Sequence, residues 1–328
     1  MYDVKQKPED FFVEEIPDIN LGKKQDDYLY FFMEKKNWNT RDLVSELAKR
    51  LGIRPDRINI AGIKDKNAVT RQTISIFRVP KNKVLGIKIK DAYFEFIGYG
   101  SERLKLGQII KNRFRIVVRN LENKNYNKIT FIENYFDEQR FSKQNAEVGL
   151  ALVKKDFYGA CNLLNIEIAK NDPIGAIRKN IDRKLLLFYV NAYQSFLFNK
   201  IIMEYIRMHS SNCFTVKHEN MEFIFSNQEI KNMKMPIMGF LTIIRNKEIN
   251  NLYKHLLARE GINKEDFLFP MMPELSSEGN ERNLIVDVEA NIAFQTDDLN
   301  PGRFKAILDF KLEKGAYATI AVKKIFGC

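Results

Sequence analysis

Residues 61–72 read AGIKDKNAVTRQ, with one acid, Asp65, set among Lys64, Lys66 and Arg71 between two apolar, β-rich runs. Neighbouring cations favour the ionised form of a carboxylate. An ionised carboxylate can attack a carbon as a nucleophile or stabilise a cation developing at a sugar carbon. The same cations could hold the phosphates on either side of a target nucleotide. Asp in a KDKN loop is also a common plain turn former, so residue type alone leaves both roles open. Gly62 is expected to permit a tight turn after the strand INIA, which would put Asp65 on a loop leaving a sheet edge.

A second stretch, SERLKLGQIIKNRFRIVVR at 101–119, carries Arg103, Lys105, Lys111, Arg113, Arg115 and Arg119 against the single acid Glu102. Side chains of a strand alternate between faces. A strand at 111–118 would therefore put Lys111, Arg113 and Arg115 on one side as a phosphate-binding stripe, and Asn112, Phe114, Ile116 and Val118 on the other. Asn112 is an amide at the end of an apolar row. It either bonds local backbone or orients a carboxylate or base edge, with Phe114 offering a ring for stacking. In NYFDEQRFS, 134–142, polar and aromatic residues interleave, and periodicity favours core packing for Tyr135, Phe136 and Phe141. In LEKGAYATIAVKKIF, Gly315 allows a turn, and Tyr317 either lines a pocket or fills a core.

The elements that must position these residues follow from periodicity. FFVEEI and YLYFFMEK read as strands joined by a polar link. NTRDLVSELAKRLG reads as a helix with Thr40 able to cap its start, an apolar stripe of Leu43, Val44, Leu47 and Leu51, and Gly52 as its stop. DRINIAG and TRQTISIFRV are strands flanking the Asp65 loop, and AYFEFIGYG and RFRIVVRN continue the β pattern. The middle differs: AEVGLALVKKDFYGACNLLN, RKLLLFYVNAYQSFLFNKIIMEYIRMH and NNLYKHLLAREG carry helical periodicity. β character returns at NLIVDVEANIAFQ and in the final segment. This order predicts an α+β domain interrupted by an inserted one, with boundaries near residues 155 and 285.

With 328 residues, 45% hydrophobic and 25 Phe, the chain is long enough for two compact domains or one large one, with well-filled cores. A net charge of +11 points to a polyanionic partner, nucleic acid first; a charge-rich surface suited to heat is the bland alternative. Cys161, Cys213 and Cys328 form no CxxC pair, and His209, His218 and His255 lack ligand spacing, so neither a disulfide framework nor a zinc site is expected. The charged N-terminus argues against a signal peptide, and no apolar run approaches the roughly 20 residues of a membrane helix. A cytoplasmic protein is expected. No P-loop, GxGxxG, HExxH or GxSxG motif is present. A metal-dependent nuclease would need clustered acids, and Glu14, Glu15 and Asp65 are few and scattered. A non-catalytic RNA-binding module or tRNA chaperone is compatible with the same charge and aromatics.

Five segments in order, KPEDFFVEEI, AGIKDKNAVTRQ, NYFDEQRFS, NAYQSFLFN and KGAYATIAVKKI, resemble the TruD family of tRNA pseudouridine synthases, from about Lys5 to Phe326. The resemblance implies a pseudouridine-synthase catalytic domain at 1–154 and 286–328, mainly an antiparallel sheet with flanking helices. It also implies an inserted, helix-rich TruD-specific domain at 155–285. The implied reaction isomerises uridine at position 13 of tRNA, in the D-stem region, with no cofactor or metal and tRNA as partner; a monomer is expected. Asp65 matches the family's essential aspartate, which would attack C1′ or take the 2′ proton, and Lys5 matches a basic residue that pairs with it. Phe11, Asn112 and Phe114 match residues around the target base, and Gly315 and Tyr317 the glycine and aromatic of the closing segment. RNA-backbone contacts are expected from Lys64, Lys66, Arg71, Lys111, Arg113 and Arg140. The chain departs from the family pattern where Lys111, Asp137 and Ser142 stand in place of glycines, which puts the local loop geometry and RNA docking in question.

Overall fold

The computed structural model describes residues 2–218 and 221–327, with residue 143 by its backbone alone. Cys328 lies outside the described residues. In chain order the first elements are β1 (Asp3–Val4), β2 (Phe11–Pro17), β3 (Tyr28–Lys36), α1 (Thr40–Leu51), β4 (Ile58–Ile60), β5 (Val69–Phe77), α2 (Lys81–Leu85), β6 (Ala92–Gly100) and β7 (Ile109–Leu121). Next come β8 (Phe131–Glu133), α3 (Asn145–Val153), α4 (Phe157–Leu163), α5 (Pro173–Asn180), α6 (Arg183–His209), β9 (Cys213–His218), β10 (Met221–Ser226), β11 (Lys234–Ile237) and α7 (Lys247–Glu260). The chain closes with β12 (Asn280–Asn283), β13 (Ile285–Asp287), β14 (Asn291–Thr296), β15 (Phe304–Glu313) and α8 (Ala318–Phe326). No helix among the described residues is long and apolar enough to cross a membrane.

The chain divides into two compact units, the first made of residues up to Tyr126 with Val288–Gly315, the second of Asn127–Asp287 with the residues from Ala316 on. These divisions fall at 126, 287 and 315; the one at 287 lies beside the expected 285, and the one at 126 lies well before the expected 155. In the second unit β8 pairs with β13, so residues 131–133 join the segment that ends at 287. The Lys324 ammonium of α8 reaches the Glu133 carboxylate of β8 at 3.0 Å. The buried α6 packs on α3, α7 and the neighbouring short strands.

The first unit is built on a nine-stranded sheet ordered β14-β15-β7-β2-β5-β3-β6, with β1 added on β7 and β4 on β5. Its pairings are antiparallel except for β2 with β5. In β7, Asn112, Phe114, Ile116 and Val118 are buried while Lys111, Arg113 and Arg115 are exposed, the period-2 alternation of a half-buried strand. Register puts Phe11, Val13 and Glu15 of β2 opposite Ile116, Phe114 and Asn112, so these residues share one face. Leu29, Phe31 and Met33 of β3 and Ile74 and Ile76 of β5 lie under Leu43, Val44, Leu47, Ala48 and Leu51 of α1. Asn39, one residue before the expected cap, starts α1: its side chain accepts from the Arg41 N–H at 3.0 Å. This frees the Thr40 hydroxyl for a task described below. Gly52 ends the helix at φ 67°, where a side chain would be strained.

The entry to β2 is tied down by a buried guanidinium. Arg119 donates from Nε and Nη2 to Asp10 at 2.9 Å each, and from Nη1 to Asp297 and Asp298 at 2.8 Å each. Burial alone would raise the Asp297 carboxyl, but the Asn120 N–H, the Asn300 amide, the Leu299 N–H and Arg119 outweigh it and hold the group well below the usual carboxylate range. A carboxyl depressed in the folded state contributes stability above its unfolded value, about 3.9, and loses it as pH falls below that. Asp297→Asn is expected to cost about 3 kcal/mol near neutral pH in urea unfolding. The gap from the wild type should shrink steadily between pH 5 and pH 3; a gap independent of pH would show that the ionised form is not what stabilises.

Candidate active site around Asp65

β4 ends at Ile60 and β5 begins at Val69, leaving residues 61–68 as a loop whose main chain is fixed from several sides. The Ala61 carbonyl accepts from the Gly107 N–H at 2.7 Å, and the Gly62 carbonyl from the Gln72 side-chain amide at 3.0 Å. The Lys64 N–H donates to the Thr40 hydroxyl at 3.2 Å, and that hydroxyl donates to Gln72 Oε1 at 3.0 Å. Lys35 Nζ lies 3.4 Å from the Lys64 carbonyl and 2.8 Å from the Asp65 carbonyl. The Asp65 side chain itself stays 63% exposed. A rigid main chain thus carries an accessible carboxylate. The turn does not draw on the freedom expected of Gly62: its φ is not positive, and a Cβ there would meet Glu15 Oε1 and Ile109 Cδ1 at 3.4 Å, an ordinary contact.

Lys5 follows β1 directly and holds a φ of 66°, left-handed backbone for a non-glycine residue, a state that costs on the order of 1–3 kcal/mol and persists only where its surroundings impose it. Its ammonium lies 3.4 Å from Asp65 Oδ2 and 4.1 Å from the centroid of the Phe11 ring. Phe11 meets Phe114 edge-on at 6.2 Å, and Phe114 stacks on Phe310 at 5.6 Å. Both Phe11 and Phe114 are buried, so the Phe114 ring already serves a packed aromatic row. Asn112 sits in the same face of β7, opposite Glu15 on β2 and Leu312 on β15. It is 8% exposed, and its Oδ1 has no hydrogen-bond partner among the described residues. A buried acceptor without a donor is costly unless something fills it.

The cations expected on RNA phosphates divide. Lys66 and Lys111 are exposed and make no ion pair among the described residues. Lys64 points inward, its ammonium 2.8 Å from Glu15 Oε1; burial raises the Glu15 carboxyl, with Lys64 and the Thr73 N–H opposing. Arg71 and Arg113 lie on the sheet face opposite Asn112 and are already paired. Arg71 reaches Glu95 at 2.6 Å and Glu14 at 3.5 Å, with its guanidinium 4.4 Å from the Phe32 ring. Arg113 grips Asp309 with both Nε and Nη2, at 3.0 and 2.7 Å, and that contact raises the arginine and lowers the aspartate. Gly315 turns the chain after β15 at φ 86°. Tyr317 and Arg140 belong to the second unit. There the Tyr317 ring lies 6.2 Å from Phe136, and the Arg140 guanidinium lies 5.7 Å from Phe136 and 5.2 Å from Phe188. Asp137, where the family pattern has glycine, sits at φ −77°. Its carboxylate binds Lys323 at 2.9 Å and accepts from Thr319 at 2.7 Å, so this backbone needs no glycine.

Sequence reasoning missed Lys35, Thr40, Gln72 and Glu15 as parts of this site. The signal was present in strand phase. Lys35 continues the inward row Leu29, Phe31, Met33, Glu15 continues Phe11 and Val13, and Gln72 precedes Ile74 and Ile76. A charged or amide side chain in an apolar phase must find partners inside the fold.

A family model described as tRNA pseudouridine synthase D (TruD) matches residues 2–178 and 163–325. An Aquifex aeolicus protein named tRNA pseudouridine synthase D is 29% identical over 387 residues, 98% of this chain and 97% of that one. A Methanosarcina barkeri relative named "Probable tRNA pseudouridine synthase D" is 27% identical, covering 98% of this chain and 92% of its own length. A solved structure from Methanosarcina mazei, titled "Putative tRNA pseudouridine synthase D (TruD)", superposes with a TM-score of 0.74 at 24% identity, over 98% of this chain and 92% of that one, which supports the α+β fold. Matched from end to end by the family model and aligned with these relatives over nearly their whole lengths, the chain belongs to the TruD family of tRNA pseudouridine synthases.

Proposed function

We propose that this chain is an isomerase that converts uridine to pseudouridine in tRNA, at position 13 in the D-stem region, with Asp65 as the reacting carboxylate. The observation that carries this reading is the exposed Asp65 carboxylate 3.4 Å from the Lys5 ammonium, on a loop whose main chain is fixed while its side chain is not. The position within tRNA rests on the ordered motifs. In the reaction the C1′–N1 bond breaks, the base turns, and C5 bonds to C1′; C5 loses a proton and N1 gains one, so atoms balance with no added reagent. The carboxylate acts at the ribose, at C1′ or on the 2′ proton, and Lys5 orients it. A uridine in a stem must first leave its stack, at a cost of a few kcal/mol recovered by stacking and phosphate contacts. Phe11 walls the space beside Lys5, Phe114 braces the wall, and the Asn112 Oδ1, buried and without a partner among the described residues, is the acceptor proposed for a base N–H once the target base reaches this face. Lys66 and Lys111, exposed and without ion-pair partners among the described residues, are the proposed phosphate contacts.

Asp65→Asn is expected to bind tRNA within a few-fold of the wild type and to form no pseudouridine, read by carbodiimide adduct mapping of the tRNA. Unchanged product would remove Asp65 from the mechanism. A wild-type protein that binds tRNA and makes no pseudouridine would instead indicate a non-catalytic RNA-binding module. Lys66→Ala and Lys111→Ala are expected to weaken binding and each to flatten its salt dependence by about one unit of log–log slope. Lys64→Met should behave differently, because it strands the buried Glu15 carboxylate. A loss of roughly 3–5 kcal/mol in urea unfolding is expected, largely restored by adding Glu15→Gln in a double-mutant cycle. Full stability of Lys64→Met with a large loss of tRNA affinity would return Lys64 to the RNA surface.

A further inference from the structure

We infer that Lys35 is a positioning residue for the reaction, its buried ammonium setting the main chain of the loop that carries the Asp65 carboxylate. The inference rests on the reading of Asp65 as the reacting group. Lys35 has no exposed surface, yet no carboxylate lies within ion-pair distance of it among the described residues. Its three donors meet three main-chain carbonyls: Trp38 at 2.8 Å, Asp65 at 2.8 Å and Lys64 at 3.4 Å. One side chain therefore joins the last residues of β3, the turn into α1 and the Asp65 loop. The Thr40 hydroxyl takes the Lys64 N–H from the same side, so the residue before Asp65 is held at both its amide and its carbonyl.

Placing an ammonium there is expensive. An unpaired buried charge loses several kcal/mol of hydration, and β3 could have ended its inward row Leu29, Phe31, Met33 with another apolar residue. Burial lowers Lys35 to about 8, with the Asp65 charge opposing that shift and Lys64 reinforcing it. The arrangement makes sense if the placement of the loop matters more than stability. The carboxylate is joined to the Asp65 carbonyl through a single Cα, so a shift of the carbonyl moves the carboxylate with it. A misplacement of about 1 Å at a reacting group can cost on the order of 10²-fold in rate.

Lys35→Met keeps an unbranched side chain, one atom shorter, and removes its donors. The expected result is a single-turnover rate constant reduced about 10²-fold, tRNA Kd within about two-fold of the wild type, and amides 62–68 exchanging hydrogen faster than those of β5. Lys35→Arg, which keeps charge and donors, should recover part of the rate. Thr40→Val removes the second anchor and should lower the rate in the same way; it serves in place of Lys35→Met if that variant fails to fold. A wild-type rate in Lys35→Met or Thr40→Val, alongside an inactive Asp65→Asn, overturns the inference and leaves the proposed function standing. Rate and binding falling together with the folded fraction, with no recovery by Lys35→Arg, also overturns it. An active Asp65→Asn removes the proposed function itself, whatever Lys35 does.

Discussion

A charge or amide turned into the apolar face of a sheet needs partners from within the protein, and in the first unit Glu15, Gln72, Arg119 and Lys35 find them on other segments, while Asn112 Oδ1 is left without one among the described residues. Glu15 takes the Lys64 ammonium and the Thr73 N–H, Gln72 takes the Gly62 carbonyl and the Thr40 hydroxyl, and Arg119 takes Asp10, Asp297 and Asp298. Lys35 takes carbonyls from the α1 turn and the Asp65 loop. Hydrophobic burial holds α1 to the strands beneath it but is non-directional and would tolerate small displacements of the loops. Buried polar groups do not, since each lost partner leaves a desolvated group unsatisfied. The positions of the 61–68 loop and of the residues before β2 are therefore decided by polar contacts rather than by packing.

Two such anchors bring Lys5 and Asp65 together. Asp10, gripped by Arg119, accepts from the Lys7 N–H at 2.9 Å, which limits where the preceding residues run. β1 pairs Asp3 with Arg119 and Val4 with Val118, so Lys5 leaves the sheet at one place only, and its left-handed φ turns it toward Phe11 and Asp65. The ion pair is long and partly exposed, so its own contribution to stability is small. The surroundings hold the pair, and the pair does not hold the surroundings.

Much of this was legible in the sequence because it depends on local periodicity. The alternation in 109–121 gives the faces of β7, and the stripe Leu43, Val44, Leu47, Leu51 gives the buried side of α1. What escaped depends on partners remote in sequence. Arg71 and Arg113 read as free cations in their own strands, and only cross-strand register brings Glu95, Glu14 and Asp309 to them. Composition changes near 155 because the helices become long there. The first compact unit gives way at 126 instead because β8 pairs with β13, which joins residues 131–133 to the segment that ends at 287. The run AEVGLALVKKDFYGACNLLN looks continuous, yet Lys155 at φ 60° and Asp156, capping α4 through the Gly159 N–H, break it into two helices.

The phase of a strand also carries more information about the site than the charge of the chain. The net charge of +11 speaks for a polyanion without saying where it binds, and several of the cations behind it are spent on neighbouring acids. Lys35 is one of the residues counted in that charge, yet it lies in the interior and faces carbonyls. Its fixed place at the end of an inward row follows from the two-residue period of β3, and its need for acceptors follows from burial. Those two constraints lead from a lysine in an apolar phase to the main chain at Asp65 without any appeal to the reaction. A loop that the interior grips by its carbonyls can leave its carboxylate exposed and still give it a definite position, which is the combination that the role proposed for Asp65 requires.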